Sequence, residues 1–253
     1  NTAVGYIAYD DATGAMDSNT VIGAVAGGFA NASSDNNVVI GAWALRHGTG
    51  QIYHNVVIGD EACDGLGTNN PDMIKCTFIG RQSGSGTWGS NAVRYNTAVG
   101  YNTMSGALDG AEQNVTLGYS TLGSLTTGDY NIAIGNFALS DLVSQSENIA
   151  IGTSAGENLT AGYTVYIGTA AGKFNVTGVG NTAIGTYSLL GVSGNSHEYN
   201  TAVGAYTIQD ITTGSSNTAM GYQALTNITD GANNVGIGRA AGDKITTGDQ
   251  NVC

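Results

Sequence analysis

Apolar and polar positions along the chain follow one rule from end to end. An Asn is followed by a β-branched residue, a small or apolar one, a large aliphatic one and a Gly. The pattern reads Asn1-Thr2-Ala3-Val4-Gly5, Asn19-Thr20-Val21-Ile22-Gly23, Asn37-Val38-Val39-Ile40-Gly41 and Asn131-Ile132-Ala133-Ile134-Gly135, with further copies beyond. Degenerate copies begin at Cys76, Asn114 and Thr164. The signature glycines fall at 5, 23, 41, 59, 80, 100, 118, 135, 152, 168, 185, 204, 221 and 238, so they lie 16 to 21 residues apart. Helical repeats need about 33 residues or more. A shorter period holds two short strands and two turns. The expectation is an all-β fold, a parallel β-solenoid of about 14 coils of 16–21 residues, running through 1–253 as a single continuous segment.

Side chains alternate along a strand, so the β-branched and large aliphatic positions share one face and the middle position takes the other. Both sets are apolar, which reads as a strand buried on both faces. The β-branched column is taken to face inward. The remaining face then needs a cover, and the chain encodes no second layer, so self-association is expected. Three residues after each signature Gly comes a small residue, as at Ala26, Ala44, Ala62, Ser83 and Thr103. It reads as a second strand or a corner where backbones approach closely. Turns such as Thr126-Thr127-Gly128-Asp129 and Thr212-Thr213-Gly214-Ser215 follow, with Gly supplying positive φ. The recurrent Asn has two readings: an amide ladder between coils or a left-handed corner. Fourteen coils stacked at about 4.8 Å make a rod on the order of 65 Å. Its open ends require caps. The array begins and ends inside the motif and Asn1 is not an initiator Met, so a longer protein is expected.

Composition narrows the function classes. Of 253 residues, 40 are Gly and one is Pro, without the every-third-residue spacing of collagen. Only 10% are charged, with 7 basic against 19 acidic side chains and a net charge of −12. That disfavours nucleic acid as a partner, which needs a basic footprint, and electrostatic docking on anionic lipid. No run of about 18 apolar residues exists, so membrane insertion is not expected. At 41% hydrophobic residues, disorder is not expected either.

The repeats Asn-Thr-Ala-Val-Gly-Tyr (1–6 and 96–101) and Asn-Thr-Ala-Met-Gly-Tyr-Gln-Ala-Leu (217–225) resemble those of trimeric autotransporter adhesin heads, and more closely the arrays of bacteriophage tail fibres. The resemblance covers nearly the whole chain. It implies a left-handed parallel β-roll and a homotrimer of three rolls side by side. Adhesin heads commonly have shorter coils, so the longer coils here favour the fibre branch. Cysteine points the same way. Adhesin passengers that thread an outer-membrane pore usually avoid it, whereas Cys63, Cys76 and Cys253 occur here. Cys63 and Cys76 fall on adjacent coils at different corners, which leaves a disulfide open, and an odd count argues against a complete framework.

Catalytic chemistry finds little support. His47, His54 and His197 are expected as solvated loop residues. His47 and His54 near Asp60 and Glu61 make a conceivable metal cluster without tight ligand spacing. The acid pairs Asp10-Asp11 and Asp60-Glu61 diverge on a strand or turn, unlike the opposed carboxylates of glycoside hydrolysis. Five sequons, at Asn31, Asn114, Asn158, Asn175 and Asn227, are expected by chance in so Asn- and Thr-rich a chain. No catalytic residue, metal ligand or cofactor is therefore assigned, and the protein is not expected to be an enzyme.

The stretch 60–95 holds the longest coils, the single proline Pro71, and Arg81, Trp88, Arg94 and Tyr95. Trp43, Arg46, Tyr53 and His54 lie one or two coils earlier. Solenoid insertions gather on one face, often the binding face, and an aromatic beside a planar cation suits sugar. Trp43, Arg46, Trp88, Arg94 and Tyr95 are the candidate receptor-binding residues. The alternative is that Trp88 packs its loop onto the roll. The function expected is the non-catalytic shaft and host-surface recognition segment of a trimeric phage tail fibre in the virion, meeting a host glycan or protein. The alternative is the head of a bacterial surface adhesin. A polysaccharide-degrading spike and an ice-binding solenoid rank lower, the latter because the Thr-bearing column is assigned inward.

Overall fold

The computed structural model describes residues 1–10, 16–28, 34–48, 50–66 and 71–253. The chain is an all-β parallel β-solenoid of about twelve turns, with no helix among the described residues. It falls into two compact units, Asn1–Asn131 and Ile132–Cys253.

In the first unit the strands are β1 (Thr2–Val4), β2 (Thr20–Ile22), β3 (Ser34–Asp35), β4 (Val38–Ile40), β5 (Ile52–Tyr53), β6 (Val56–Ile58), β7 (Met73–Ile74), β8 (Thr77–Ile79), β9 (Val93–Arg94), β10 (Thr97–Val99) and β11 (Val115–Leu117). The three-residue strands stack as β1-β2-β4-β6-β8-β10-β11, and the two-residue strands form a second ladder, β3-β5-β7-β9. The second unit contains β12 (Ile132–Ile134), β13 (Ile149–Ile151), β14 (Val165–Ile167), β15 (Thr182–Ile184), β16 (Thr201–Val203), β17 (Thr218–Met220) and β18 (Val235–Ile237), stacked in chain order. Every pairing is parallel and holds the repeat in register. Thr97 lies opposite Val115, and Thr182 opposite Thr201, so each motif position forms a column.

The faces are the reverse of the sequence expectation. The middle residue points inward: Val21, Val39, Val57, Phe78, Ala98, Ala133, Ala150, Tyr166, Ala183, Ala202 and Ala219 have no accessible surface. The β-branched and large aliphatic columns point outward and are half-buried or exposed. Both faces are apolar, so alternation alone could not tell inside from outside. The interior is narrow, and the opposite wall decides. Coils with Ala on the strand bury Leu or Met four residues after the signature Gly, as at Met104, Leu139 and Leu225. Where the strand carries a large ring, that wall residue becomes Gly. A Cβ on Gly84 would lie 2.8 Å from the Phe78 ring, and one on Gly172 would overlap the ring of Tyr166. The missing side chain there makes room for the ring, as close packing demands.

The segment after the signature Gly is a run of turns, and no second strand forms there. Residues two and four beyond the Gly adopt left-handed φ, as at Trp43 (56°) and Leu45 (50°), or Phe137 (60°) and Leu139 (50°). Between them the small residue is buried, since Ala44, Ala62 and Ala138 have no accessible surface. The signature Gly itself is fixed by close approach. A Cβ on Gly23 would strike the carbonyl oxygen of Gly41 in the next coil, at a φ of +148° that also disfavours side chains. The turn glycines differ from expectation. Gly214 and Gly231 are not in left-handed conformation; a Cβ there would meet the carbonyl oxygen of Gly231 or Gly248 at 2.6 or 2.5 Å.

Of the two readings of the Asn, the amide ladder is the one realised. The left-handed corner falls on the residue before the Asn, as at Ser18, His54, Tyr95, Tyr130 and Ser216. The Asn itself is laddered. Asn217 donates Nδ2 to Asn200 Oδ1 at 3.1 Å and to the Gly231 carbonyl at 2.9 Å. Its own Oδ1 accepts the Asn234 backbone N–H and Nδ2, both at 3.0 Å. All four bonding positions of a buried amide are thus filled. The same bonds join Asn19, Asn37 and Asn55, and Asn96, Asn114 and Asn131. Thr164 continues the ladder through its hydroxyl, which donates to Asn148 Oδ1 at 2.9 Å. Cys76 stands in the amide's place, with its backbone N–H on Asn55 Oδ1 at 2.8 Å.

Candidate functional site

Two kinds of surface emerge. The first is the outward sheet face, whose columns are uncharged in both units. It exposes Val115 (40%), Leu117 (50%) and Met220 (51%), while Thr97, Thr182 and Thr201 supply hydroxyls to one column. The second kind flanks the strands. One flank carries the residue before each Asn, and the other the two residues after each signature Gly.

The structure separates the five receptor-binding candidates. Trp43 lies two residues past Gly41 and is exposed, with the Arg46 guanidinium 5.6 Å from its ring centre. Arg46 is held in a two-point contact by Asp64, Nε to Oδ1 at 2.8 Å and Nη2 to Oδ2 at 3.1 Å. Tyr95 is exposed on the other flank, before Asn96, with Lys75 Nζ 5.5 Å from its ring centre. Arg94 pairs with Glu112 across one coil at 2.9 Å. Trp88 has no accessible surface. It donates Nε1–H to the Gly84 carbonyl at 2.8 Å and packs on Phe78 with ring centres 5.8 Å apart, pinning its loop to the roll. Trp43 and Tyr95 thus stand on opposite sides of the strand ladder, and Trp88 is core.

Asp60 and Glu61 do not oppose each other; both face Arg81, at 3.1 and 3.7 Å. The next rungs add aromatic groups. The Arg81 guanidinium sits 5.9 Å from the Tyr101 ring centre, and Tyr101 stacks on Tyr119 at 5.3 Å with 10° between ring planes. Sequence reasoning named Asp60, Glu61 and Arg81 without assembling them and did not name Tyr119. The position one past the signature Gly, shared by Asp60, Arg81, Tyr101 and Tyr119, was the available signal.

Histidines divide. His47 and His54 are exposed. His197 is buried, contrary to expectation, and both its ring nitrogens lack hydrogen-bond partners. Burial lowers its pKa to about 4, with its own backbone opposing. Its N–H donates to Asn175 Oδ1 at 3.3 Å, and Asn175 also donates to the Tyr166 hydroxyl at 2.8 Å. The cysteines are free. Burial pushes the Cys63 thiol well up, with nearby Cys76 adding to it, and pushes Cys76 up to about 11 against opposing hydrogen bonds from its neighbours. Both are therefore thiols at neutral pH. No group of three or more His, Cys, Asp or Glu among the described residues could hold a metal ion. Asp11 and the Asn31 sequon lie outside the described residues, while Asn114 and Asn175 are buried.

Several acids of the turns serve as caps between coils. Asp35 Oδ1 accepts the Asp17 N–H at 2.7 Å, Asp129 Oδ1 that of Glu112 at 2.7 Å, and Asp249 Oδ1 that of Ala232 at 2.7 Å. Part of the acidic bias is therefore architectural. Comparison with known protein families, with curated proteins and with solved structures finds no match.

Proposed function

We propose that the chain is the shaft and surface-recognition segment of a homotrimeric fibre of the phage tail-fibre kind, with no catalytic role. The observation that carries the reading is the outward sheet face, apolar and free of charge along successive rungs. Exposed apolar patches of that continuity mark an interface. A second copy of the chain is the occupant whose rungs repeat at the same spacing, so every Val or Ile on one copy meets an equivalent row on the next. A closed ring of such contacts is the form that avoids open-ended growth sideways. Left-handed coiling and the virion as location belong to the same proposal, from the repeat resemblance. Light scattering of the chain tests it. A trimer of 25.6 kDa chains gives about 77 kDa, and a stable monodisperse monomer overturns the assembly. Replacing Val99 and Leu117 with Lys is expected to dissociate it.

One observation favours a second reading. The Thr column expected inside points outward, in register at Thr2 and Thr20 and at Thr77 and Thr97 in the first unit, and at Thr182, Thr201 and Thr218 in the second. A monomer with such a face has the regular hydroxyl and methyl array suited to ordered water. Thermal hysteresis in a freezing assay would support that reading, and its absence removes it.

A further inference from the structure

We propose that the flank after the signature glycines in the first unit is a binding strip for a neutral linear polysaccharide, formed by Asp60, Arg81, Gln82, Tyr101, Asn102 and Tyr119. It rests on the recognition half of the reading above and moves the contact away from Trp88 and Arg94.

These residues occupy consecutive rungs in two adjacent columns. Backbone bonds set the register, with the Gln82 N–H on the Asp60 carbonyl at 3.0 Å, that of Asn102 on Arg81 at 3.0 Å and that of Ser120 on Tyr101 at 3.0 Å. In one column Asp60 holds Arg81 Nε, the guanidinium lies against Tyr101, and Tyr101 stacks on Tyr119. In the other, Gln82 donates to Glu61 at 2.6 Å and Asn102 to Ser120 Oγ at 3.3 Å. The Arg81 side chain is still 52% exposed, Tyr101 39% and Tyr119 44%.

A sugar ring presents C–H faces and a rim of hydroxyls that both donate and accept. The strip matches both features. Its rings offer apolar area, and beside them stand acceptors on Asp60 with donors on Arg81 and Asn102. The guanidinium is oriented beforehand by the carboxylates, which lowers the ordering cost of binding. The charged groups on the strip are Asp60, Glu61 and Arg81, so its balance is one negative charge. That disfavours anionic polymers. Because the rungs repeat at the strand spacing of about 4.8 Å, the fitting ligand is itself a repeating chain lying along them.

Affinity electrophoresis of the chain through gels containing dextran, mannan, xylan or heparin tests the proposal. Retardation by at least one neutral polymer and none by heparin is expected. Arg81→Ala and Tyr101→Ala should each weaken retardation about tenfold, while Tyr222→Ala, at the same motif position in the second unit, should leave it unchanged. If Arg81→Ala does not fold, Gln82→Ala, which removes a half-buried amide bonded to Glu61, takes its place. Retardation by none of the neutral polymers, retardation by heparin alone, or undiminished binding in the variants overturns the strip. Light scattering run alongside keeps the two readings apart. A trimer that binds nothing keeps the assembly and loses the strip, whereas a monomer that binds does the opposite.

Discussion

The first and second units each stack three-residue strands in register but close their coils differently. In the first, signature glycines are 18 to 21 residues apart, and there is a second ladder, β3-β5-β7-β9, whose Ile52, Met73 and Val93 face the core. In the second, the spacing is 16 to 19, and none of the strands belongs to a second ladder. There the same distance is closed largely by turns with a buried aliphatic residue, such as Leu142, Leu159, Ile211 and Ile228. Length alone does not decide between a paired strand and a turn, since 18-residue coils of the first unit carry the strand and the 19-residue coil from Gly185 to Gly204 does not. Longer coils carry Phe78 and Trp88 inside and the acid, guanidinium and ring groups outside, with Arg46–Asp64, Arg81–Asp60 and Arg94–Glu112 each spanning about one coil. Such surface pairs contribute little stability, roughly 0–1 kcal/mol each. Their use is to hold side chains in place.

The contrast predicts where each unit breaks. Trp88→Ala has the largest expected effect. It removes a fully buried ring and leaves the Gly84 carbonyl without its indole donor, so the first unit should lose about 3–5 kcal/mol. Denaturant melts followed by hydrogen exchange would locate that loss, and a loss reported equally from the second unit would refute the assignment. The ladder comes next. Asn217→Leu strips bonds from Asn200 and Asn234 and should cost about 2–4 kcal/mol in the second unit. Cys76→Asn in the first unit restores an amide where the ladder lacks one and should gain about 1 kcal/mol. A neutral result for both substitutions would mean that the ladder does not set coil stability.

Acid should act on the second unit through His197. Its folded pKa of about 4 lies below the ordinary 6.5, so the folded state keeps it neutral while the unfolded state takes up a proton. Stability is full above about pH 6.5 and falls as pH drops towards 4, by about 2–3 kcal/mol in all. His197→Asn should flatten that slope in an urea titration, and an unchanged slope would assign it to other groups. The smallest effect belongs to the left-handed positions. Ser154 sits at φ 57°, and Ser154→Gly relieves its Cβ at the cost of a freer unfolded chain, so a gain of about 0.5 kcal/mol is expected in a thermal melt.

Much of the candidate surface was within reach of the sequence, and its grouping was not. Arg94 and Tyr95 were identifiable as unusual residues of the long coils, and Trp43 and Arg46 of a coil before them, but the sequence could not say that the residue before an Asn stands across the strand from the one two past the Gly. Trp88 shows the same limit. Its sequence left exposure and packing onto the roll both open, and Phe78 and Gly84, which make room for it, decide between them. His197 reads as solvated until the buried Asn175 beneath it is placed. The turn Asp residues escaped because their bonds reach the next coil, 17 or 18 residues away.

What the sequence determined by itself is the repeat: where each three-residue strand lies, that coils pair in parallel and in register, and which column carries Asn. Those follow from local chemistry recurring at one period, and a one-residue slip would have moved every side chain of a strand to the wrong face. Only the tertiary structure decided which apolar face is the inside. Alternation is symmetric when both faces are apolar, and the choice depends on the width between the walls of the coil. Ala fits there against Leu, and Phe78 or Tyr166 fits against Gly. That leaves Thr, Val and Ile outside, on the face where a partner must be sought.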